Sequence, residues 1–309
     1  MHEHICLRQP EYQGLNRYIA EVWLTRLRNA GCQSIAEVTP IASHVAYPGT
    51  DERGRPALPL DEIKELSKRT GINIICATGY YTPEMAPALR GMDAETIADH
   101  MVQKIEDGFG NTGVYPGIVK VGAHHVPLTK VEERVFVAAG MAQSQTGVAV
   151  CCHSIFGPRN QMTALLKGGA DPNHCYFSHV EAEIGWEGRS LQEEAEYLAN
   201  IAHEGSSLLF NNFGFEHDTP WEDLVYLIKY LVNEGFASKI LICIDANWTI
   251  QSNGTAWLEA EAKNPECRKR DYAYIFTRSV PDLLDAGISR ETIQTFMVDN
   301  PRAILALSQ

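Results

Sequence analysis

Short apolar runs alternate with amphipathic helical patterns along the whole chain, and this alternation restricts the fold more than any other feature. The apolar runs predict seven strands, at residues 34–38, 72–77, 117–121, 148–152, 174–178, 206–211 and 240–244. Helical patterns separate these runs, so the strands are expected to be parallel. With one more short strand near the N-terminus, the pattern predicts an α/β fold, a (β/α)8 TIM barrel that forms a single domain over residues 1–309.

Several predicted helices have recognisable first turns. A capping box, in which Ser or Thr and a Glu three residues later each satisfy a backbone N–H, is predicted at three of them. The pairs are Thr129 with Glu132, Ser190 with Glu193, and Thr219 with Glu222. Pro220 is expected at the first helical position of the third helix, where the missing N–H costs nothing.

The charge balance and the hydropathy exclude several classes of partner. The 309 residues carry a formal net charge of −13 and the densest basic cluster is Arg268-Lys269-Arg270, so neither nucleic acid nor an anionic membrane is an expected partner. No apolar run approaches the ~20 residues of a membrane span, and the first residues do not resemble a signal peptide. The eight cysteines include no C-x-x-C pair and are interpreted as free thiols of a reducing compartment. A cytoplasmic protein that acts on a small molecule is predicted.

A single lysine, Lys120, lies inside the apolar and β-branched run at residues 117–122. A buried ammonium costs free energy unless its pKa falls or it is paired, so this lysine is expected to be neutral or chemically modified. A neutral lysine amine can take up carbon dioxide to give a carbamate, whose two oxygens can bridge two divalent cations. The alternative is a lysine that extends from the strand end and keeps its amine in solvent.

Histidines and an aspartate stand where a barrel places its reactive residues. His153, His179 and Asp245 each follow an apolar run directly, and the C-terminal ends of the strands carry the reactive residues of such barrels. His2 and His4 are two residues apart, which puts both imidazoles on one face of an extended chain. Each residue alone has a simpler interpretation, as a hydrogen-bonded loop histidine or an aspartate that caps a turn. Their order along one barrel pattern favours a metal site.

Four segments together resemble a known family. They are His2-Glu3-His4-Ile5, the run from Ile74 to Tyr81, the run from Gly117 to Val121, and Asp299-Asn300-Pro301-Arg302. In this order they resemble the phosphotriesterase-related branch of the amidohydrolase superfamily, over essentially the whole chain. That branch has an opening H-E-H-[LI], a third strand with an aromatic residue at the barrel mouth, a strand that carries the lysine, and a closing N-P-R helix.

The resemblance implies a binuclear metal centre. The ligands that it implies are His2, His4 and Asp245 for the more buried ion, and His153 and His179 for the more exposed one. Lys120, as N6-carboxylysine, would bridge the two ions together with a hydroxide. These ligand types favour zinc, with manganese or cobalt as alternatives. Such relatives commonly form homodimers, so a homodimer is expected.

The same resemblance implies hydrolysis by the metal-bridging hydroxide, with Asp245 as the catalytic residue that carries its proton. A lactone or a carboxylic ester is the predicted substrate, and phosphotriester hydrolysis is predicted as a promiscuous activity. Two alternatives stay open. One is hydrolysis of an amide or a phosphoester at the same centre, and the other is a non-catalytic binding protein that keeps the barrel.

Substrate specificity is expected to come from the loops after the strands. Tyr80 and Tyr81 are predicted to line the mouth, and Trp248 is predicted to bind substrate from a lid over residues 248–271 that also carries Trp257. Packing of the two tryptophans within the loop is an equal alternative.

The chain departs from the family pattern at three places. The H-x-H motif, which normally ends the first strand, begins here at the second residue, so the first strand is a truncated stub or the given start is late. Residues 180–183 read Val-Glu-Ala-Glu where relatives often have an aspartate or arginine, and Asn212 stands where many have an acid. No second proton relay is therefore predicted, and His124 and His125 are interpreted as bystanders.

Overall fold

The structure is a computed structural model that describes residues 1–5, 9–41, 59–81, 83, 86, 89–155, 157–215, 219–246, 248–250, 256–257 and 270–307. Seven parallel strands form one curled sheet in which each strand pairs with the next in sequence. They are β1 (Ser34–Ile41), β2 (Asn73–Tyr80), β3 (Ile118–Ala123), β4 (Ala149–Ser154), β5 (Cys175–Ser178), β6 (Ser207–Phe210) and β7 (Ile240–Ile242). All seven strands predicted from the apolar runs are present, and the arrangement is that of a (β/α)8 barrel.

Helices connect the strands and cover their outer face. In the described parts of the chain they are α1 (Gln13–Asn29), α2 (Leu60–Thr70), α3 (Ala94–Asp107), α4 (Lys130–Thr146), α5 (Pro158–Lys167), α6 (Leu191–His203) and α7 (Trp221–Asn233), followed by the shorter α8 (Val280–Asp285), α9 (Arg290–Gln294) and α10 (Asn300–Leu305). Two π-helical turns, Ile275–Ser279 and Thr295–Asp299, precede α8 and α10. Two short antiparallel strands, β8 (Thr249–Ile250) and β9 (Ala256–Trp257), follow β7. None of the described helices combines the length and the apolar character that crossing a bilayer requires.

Two of the three predicted capping boxes are confirmed, at Thr129 and Ser190. The third prediction is wrong, because α7 begins at Trp221 with Pro220 as its N-cap and without a side-chain cap. The Thr219 hydroxyl instead accepts a hydrogen bond from Asn212 Nδ2 at 3.0 Å. The threonine therefore fixes the loop after β6 rather than the helix.

Strand alternation divides the buried residues into two layers. Ala77, Ile118, Cys151 and Leu241 belong to a small cluster on the inner face of the sheet. Their sequence neighbours belong to a much larger cluster between the strands and the helices. Which face a strand residue occupies therefore decides whether it can reach the barrel interior.

Residues 1–5 lie between β1 and the end of β7. The Glu3 N–H donates to the Ala36 carbonyl at 3.0 Å, and the Val38 N–H donates to the Glu3 carbonyl at 3.1 Å. Glu3 pairs with Glu37 in a single parallel bridge, not in a regular strand. Within the described residues, the predicted eighth strand is thus a stub that places its side chains at the gap in the sheet.

Candidate metal centre

Three of the predicted ligands meet where the N-terminal stub passes the end of β7. Potential ligand atoms of His2, His4 and Asp245 all lie within 4.8 Å of one another. Asp245 Oδ1 is 3.8 Å from His2 Nε2 and 3.4 Å from His4 Nε2. The two histidines reach the same side because they alternate around Glu3, as expected for an extended chain.

Lys120 lies inside the barrel beside this trio. Its side chain is 1% exposed, so the interpretation in which the amine reaches solvent is wrong. The amine is 3.4 Å from His2 Nε2 and 3.4 Å from Cys151 Sγ. No carboxylate of the described residues lies within ion-pair distance of it. A buried amine whose neighbours are an imidazole and a thiol has no negative charge to stabilise its ammonium form. It is therefore a suitable place for chemical modification.

His153 and His179 complete the group from the next two strands. Their ring centroids are 4.5 Å apart, and the His179 ring is 5.1 Å from that of His2. His179 Nε2 lies 3.6 Å from Asp245 Oδ2. Asp245 therefore contacts histidines on both sides, and all six predicted ligands lie at one end of the sheet.

The β2–β3–β4 register places Lys120 and His153 on the inner face. Lys120 pairs with Gly79 of β2 and with Cys151 of β4, and Gly122 pairs with His153. Gly79 has a φ of +116°, and a Cβ added there would lie 2.1 Å from the Lys120 carbonyl oxygen. Only glycine allows this close approach of the two strands.

Burial keeps three of the histidines neutral, which is the form that binds metal. Burial first, and then the neighbouring basic groups of Lys120 and His4, lower the pKa of His179 to about 3. Burial followed by neighbouring basic groups also lowers the pKa values of His2 and His153 well below the usual value. Neutral imidazoles can coordinate divalent ions through a ring nitrogen.

The donor set fits a divalent metal centre. Four imidazoles, a carboxylate and a modifiable amine converge, and imidazole with carboxylate is a ligand combination of zinc and related ions. Two buried ring nitrogens, His2 Nδ1 and His179 Nε2, have no hydrogen-bond partner among the residues that the structure describes. An unsatisfied buried polar atom costs about 1–3 kcal/mol. Coordination of an ion by His179 Nε2 would remove that cost at one of them.

Sequence reasoning missed the role of Glu3. Its carboxylate accepts hydrogen bonds from the N–H groups of Ile244, at 3.1 Å, and of Ala246, at 2.9 Å. These residues flank Asp245, whose φ is +53°. Glu3 thus fixes the turn that presents Asp245. The H-x-H motif could have predicted this role, because the middle residue of an extended segment points away from the two histidines and towards the neighbouring backbone.

Asn211, and not Asn212, reaches the site. Asn212 donates to Thr219, whereas the Asn211 amide contacts both His179 and Asp245. The run at residues 180–183 supports this loop, because the buried Glu181 carboxylate accepts hydrogen bonds from the backbone N–H groups of Asn211 and Asn212, at 2.5 Å each. Inner and outer positions alternate along β6, and this alternation was the signal that could have identified Asn211.

Of the three predicted substrate-binding residues, only Tyr81 lies beside the centre. Its hydroxyl is 3.4 Å from His153 Nε2. The His124 ring is 5.4 Å from the Tyr81 ring and 5.5 Å from the His153 ring. The structure thus places His124 at the site, contrary to its interpretation as a bystander. His125 pairs with Glu132, 3.1 Å away.

Tyr80 and Trp248 are placed elsewhere. Tyr80 is buried on the helix side of β2, because neighbouring residues of a strand point to opposite faces and Tyr81 points to the inner one. Trp248 is 2% exposed, and its indole N–H donates to Asn16 Oδ1 of α1 at 2.9 Å. These positions favour packing over substrate contact. The remainder of the predicted lid, including the Trp257 side chain, lies largely outside the described residues.

Comparisons with known proteins agree with this arrangement. A family model described as "Phosphotriesterase family" matches residues 52–305. An aryldialkylphosphatase of Saccharolobus solfataricus is 27% identical, over 78% of this chain and 74% of its own length. The N-acetyltaurine hydrolase of Homo sapiens is 26% identical, over 78% of this chain and 67% of its own length. The crystal structure of the phosphotriesterase homology protein of Escherichia coli, complexed with phosphate in its active site, has the same fold. It matches with a TM-score of 0.78 at 20% identity, over 99% of this chain and 97% of that chain.

Proposed function

The chain belongs to the phosphotriesterase family, and from this premise we propose that it is a metal-dependent hydrolase with a binuclear centre. The observation that carries the proposal is the convergence of six potential ligands from distant parts of the sequence at one end of the sheet. The proposed ligands of the two ions are His2, His4 and Asp245 for one, His153 and His179 for the other, and carboxylated Lys120 for both. Zinc suits these ligands, and manganese or cobalt can substitute.

Each group has a distinct task in the proposed reaction. Two divalent ions held here would supply Lewis acidity, which lowers the pKa of water and polarises the oxygen of the bond to be cleaved. Asp245, whose side chain is 17% exposed, can accept the proton of the attacking water and release it to the leaving group or to solvent. Tyr81 presents its hydroxyl beside His153, where it can donate a hydrogen bond to a substrate oxygen.

We propose a lactone or a carboxylic ester as the substrate, with phosphotriesters cleaved as a side activity. The second candidate is an amide, and the observation that favours it is the similarity to an N-acetyltaurine hydrolase. Both substrates place an electrophilic carbonyl at the same centre, so they share ligands and proton carrier and differ in their leaving group.

The net charge of −13 and the free thiols support a cytoplasmic protein that acts on a small molecule without nucleic acid or membrane as partner. We further propose a homodimer of single-domain chains. Sedimentation equilibrium of the purified protein tests this state, and a mass equal to one chain would contradict it.

The function is tested by metal analysis together with a substrate panel. Purified protein is loaded with zinc in bicarbonate buffer, metal per chain is measured, and rates are compared for lactone, ester, amide and phosphotriester substrates. We expect about two ions per chain, as in two-metal hydrolases, and the highest rate with lactones or esters. Well under one ion per chain would refute the metal centre, and turnover of amides alone would select the second candidate.

Two variants separate ligand from proton carrier. Lys120→Ala is expected to lose both metal and activity, and short carboxylic acids should restore part of each by replacing the carbamate. Asp245→Asn is expected to retain more metal than Lys120→Ala while losing most of its turnover. His125→Ala is the matched control, because His125 contacts Glu132 rather than the centre. Equal metal loss in the two site variants would argue against a separate proton-carrying role for Asp245.

A further inference from the structure

Asn211 follows β6, and its buried amide contacts two of the proposed ligands at once. Its Oδ1 accepts the backbone N–H of His179 at 2.8 Å. Its Nδ2 lies 2.7 Å from His179 Nδ1 and donates to Asp245 Oδ2 at 3.4 Å. One side chain thus contacts the backbone and the ring of the first ligand and the carboxylate of the second.

Both of these ligands have a backbone that needs external support. His179 has a φ of +63° and Asp245 a φ of +53°. Such left-handed conformations cost a non-glycine residue about 1–3 kcal/mol, and they persist only where the surroundings fix them. His179 directly follows β5, and Asp245 lies three residues after the end of β7. The amide of Asn211 is the group that spans the two turns.

Asn211 is itself firmly anchored. Its backbone N–H donates to the buried carboxylate of Glu181 at 2.5 Å, and its carbonyl accepts from Arg270 Nη2 at 3.2 Å. The Arg270 guanidinium is also buried and donates to the carbonyls of Phe213, at 2.6 Å, and of Ile244, the residue before Asp245. The support for Asn211 therefore connects the ends of β6 and β7.

Resting on the proposed function, we propose that Asn211 is a positioning residue of the metal centre. Its contacts with the backbone N–H and the ring of His179 fix the direction of that ring, whose Nε2 lies 3.6 Å from Asp245 Oδ2. By donating to Asp245 Oδ2, it fixes the orientation of the carboxylate. It thereby sets the spacing between the two halves of the centre.

An amide suits this position better than any side chain of similar size. It offers an acceptor to the His179 N–H and a donor to the Asp245 carboxylate at the same time. A carboxylate would keep the first contact, but it would place a second negative charge beside Asp245. A small aliphatic side chain would lose both contacts. Asn211→Asp and Asn211→Ala therefore perturb the centre in different ways while changing little else.

The test uses cobalt, because its visible spectrum reports ligand geometry independently of turnover. Wild type, Asn211→Ala, Asn211→Asp and Asn212→Ala are loaded with Co²⁺, and spectra, ions per chain and affinities against a competing chelator are compared. Both Asn211 variants should show an altered spectrum, with affinity for at least one ion weakened by about 10- to 100-fold, as for other residues that orient metal ligands. Asn212→Ala, whose parent side chain contacts Thr219, should match wild type.

Kinetics give a second readout. The kcat of the Asn211 variants should fall with a KM within about threefold of wild type, since the transition state alone depends on the exact placement of the ligands. A wild-type spectrum and affinity in both Asn211 variants would overturn the inference. Asn211→Asp is nearly isosteric with the wild type, so its spectrum and affinity test the inference even if Asn211→Ala does not fold. Wild-type protein that binds no cobalt would instead refute the proposed function itself.

Discussion

Replacing Lys120 by methionine is expected to change stability in opposite directions in the metal-free and the metal-loaded protein. The side chain is almost fully buried, and within the described part of the chain only His2 Nε2 and Cys151 Sγ lie at hydrogen-bond distance from its amine, both at 3.4 Å. Methionine is similarly long and unbranched and brings no amine into the interior. The substitution therefore removes a polar group at little cost in packing.

The size of each effect follows from the burial. In the metal-free protein, removing a poorly bonded polar group should recover about 1–3 kcal/mol. For a chain of this size each kcal/mol raises the Tm by about 2–4 °C. Metal-loaded wild type gains about 4.1 kcal/mol when a free ion is present at about 1,000 times its Kd, which exceeds the recovery expected in the metal-free variant. The methionine variant cannot form the bridging carbamate and should lose most of that gain.

The assay is thermal unfolding of both proteins, once with a chelator and once with zinc and bicarbonate, with metal content measured in parallel. We expect the variant to have the higher Tm in chelator and the lower Tm in zinc. Lys120→Ala serves as the packing control, because it leaves a cavity and should destabilise both forms, by about 2–5 kcal/mol. If methionine lowers the Tm equally with and without zinc, the lysine acts as an ordinary packing residue and the reasoning fails.

Three further predictions concern the scaffold. Gly79→Ala should destabilise the protein and reduce its metal content, since the added Cβ would meet the Lys120 carbonyl oxygen at 2.1 Å. Gly14→Ala is the control, because its Cβ meets nothing within 4 Å and alanine is favoured in a helix such as α1. A urea titration with metal analysis should show no loss of stability or metal in this control. Trp248→Phe should lower the free energy of unfolding by about 1 kcal/mol, because it loses the hydrogen bond to Asn16 of α1. A large rise in KM in this variant would instead support the predicted substrate contact. Burial, followed by a neighbouring carboxylate, raises the pKa of Glu183 to about 9. The folded state therefore retains a proton that the unfolded state releases near the ordinary pKa of glutamate, and stability should fall as the pH rises from about 5 to about 9. Glu183→Gln should flatten the dependence of the urea midpoint on pH, and parallel curves for the two proteins would contradict the assignment.

The strands and the ligand positions could be predicted because both follow from local patterns. Apolar runs of strand length between amphipathic segments define the barrel, and polar residues directly after those runs stand at its reactive end. The six side chains are brought together because they occupy equivalent places around one barrel. Lys120 and His153 lie on β3 and β4, His179 and Asp245 follow β5 and β7, and His2 and His4 lie in the stub beside β1.

The predictions that failed depended on single-residue register or on distant contacts. Tyr80 and Tyr81 differ by one position, and a shift of one residue moves a side chain to the other face of the sheet. The same shift separates Asn211 from Asn212. Trp248 could not be placed from its own loop, because its hydrogen-bond partner is 232 residues away in α1.

The hydrogen bond between the Glu3 carboxylate and the Ile244 N–H joins residues 241 positions apart. Such contacts give a chain a high contact order, and the entropy of closing so long a loop must be overcome before they contribute. The six ligands can therefore come together only after the N-terminal stub has docked between β1 and the end of β7. Metal binding would therefore follow folding of the chain and would not nucleate folding. The rate of metal uptake during refolding would report when the whole barrel is complete.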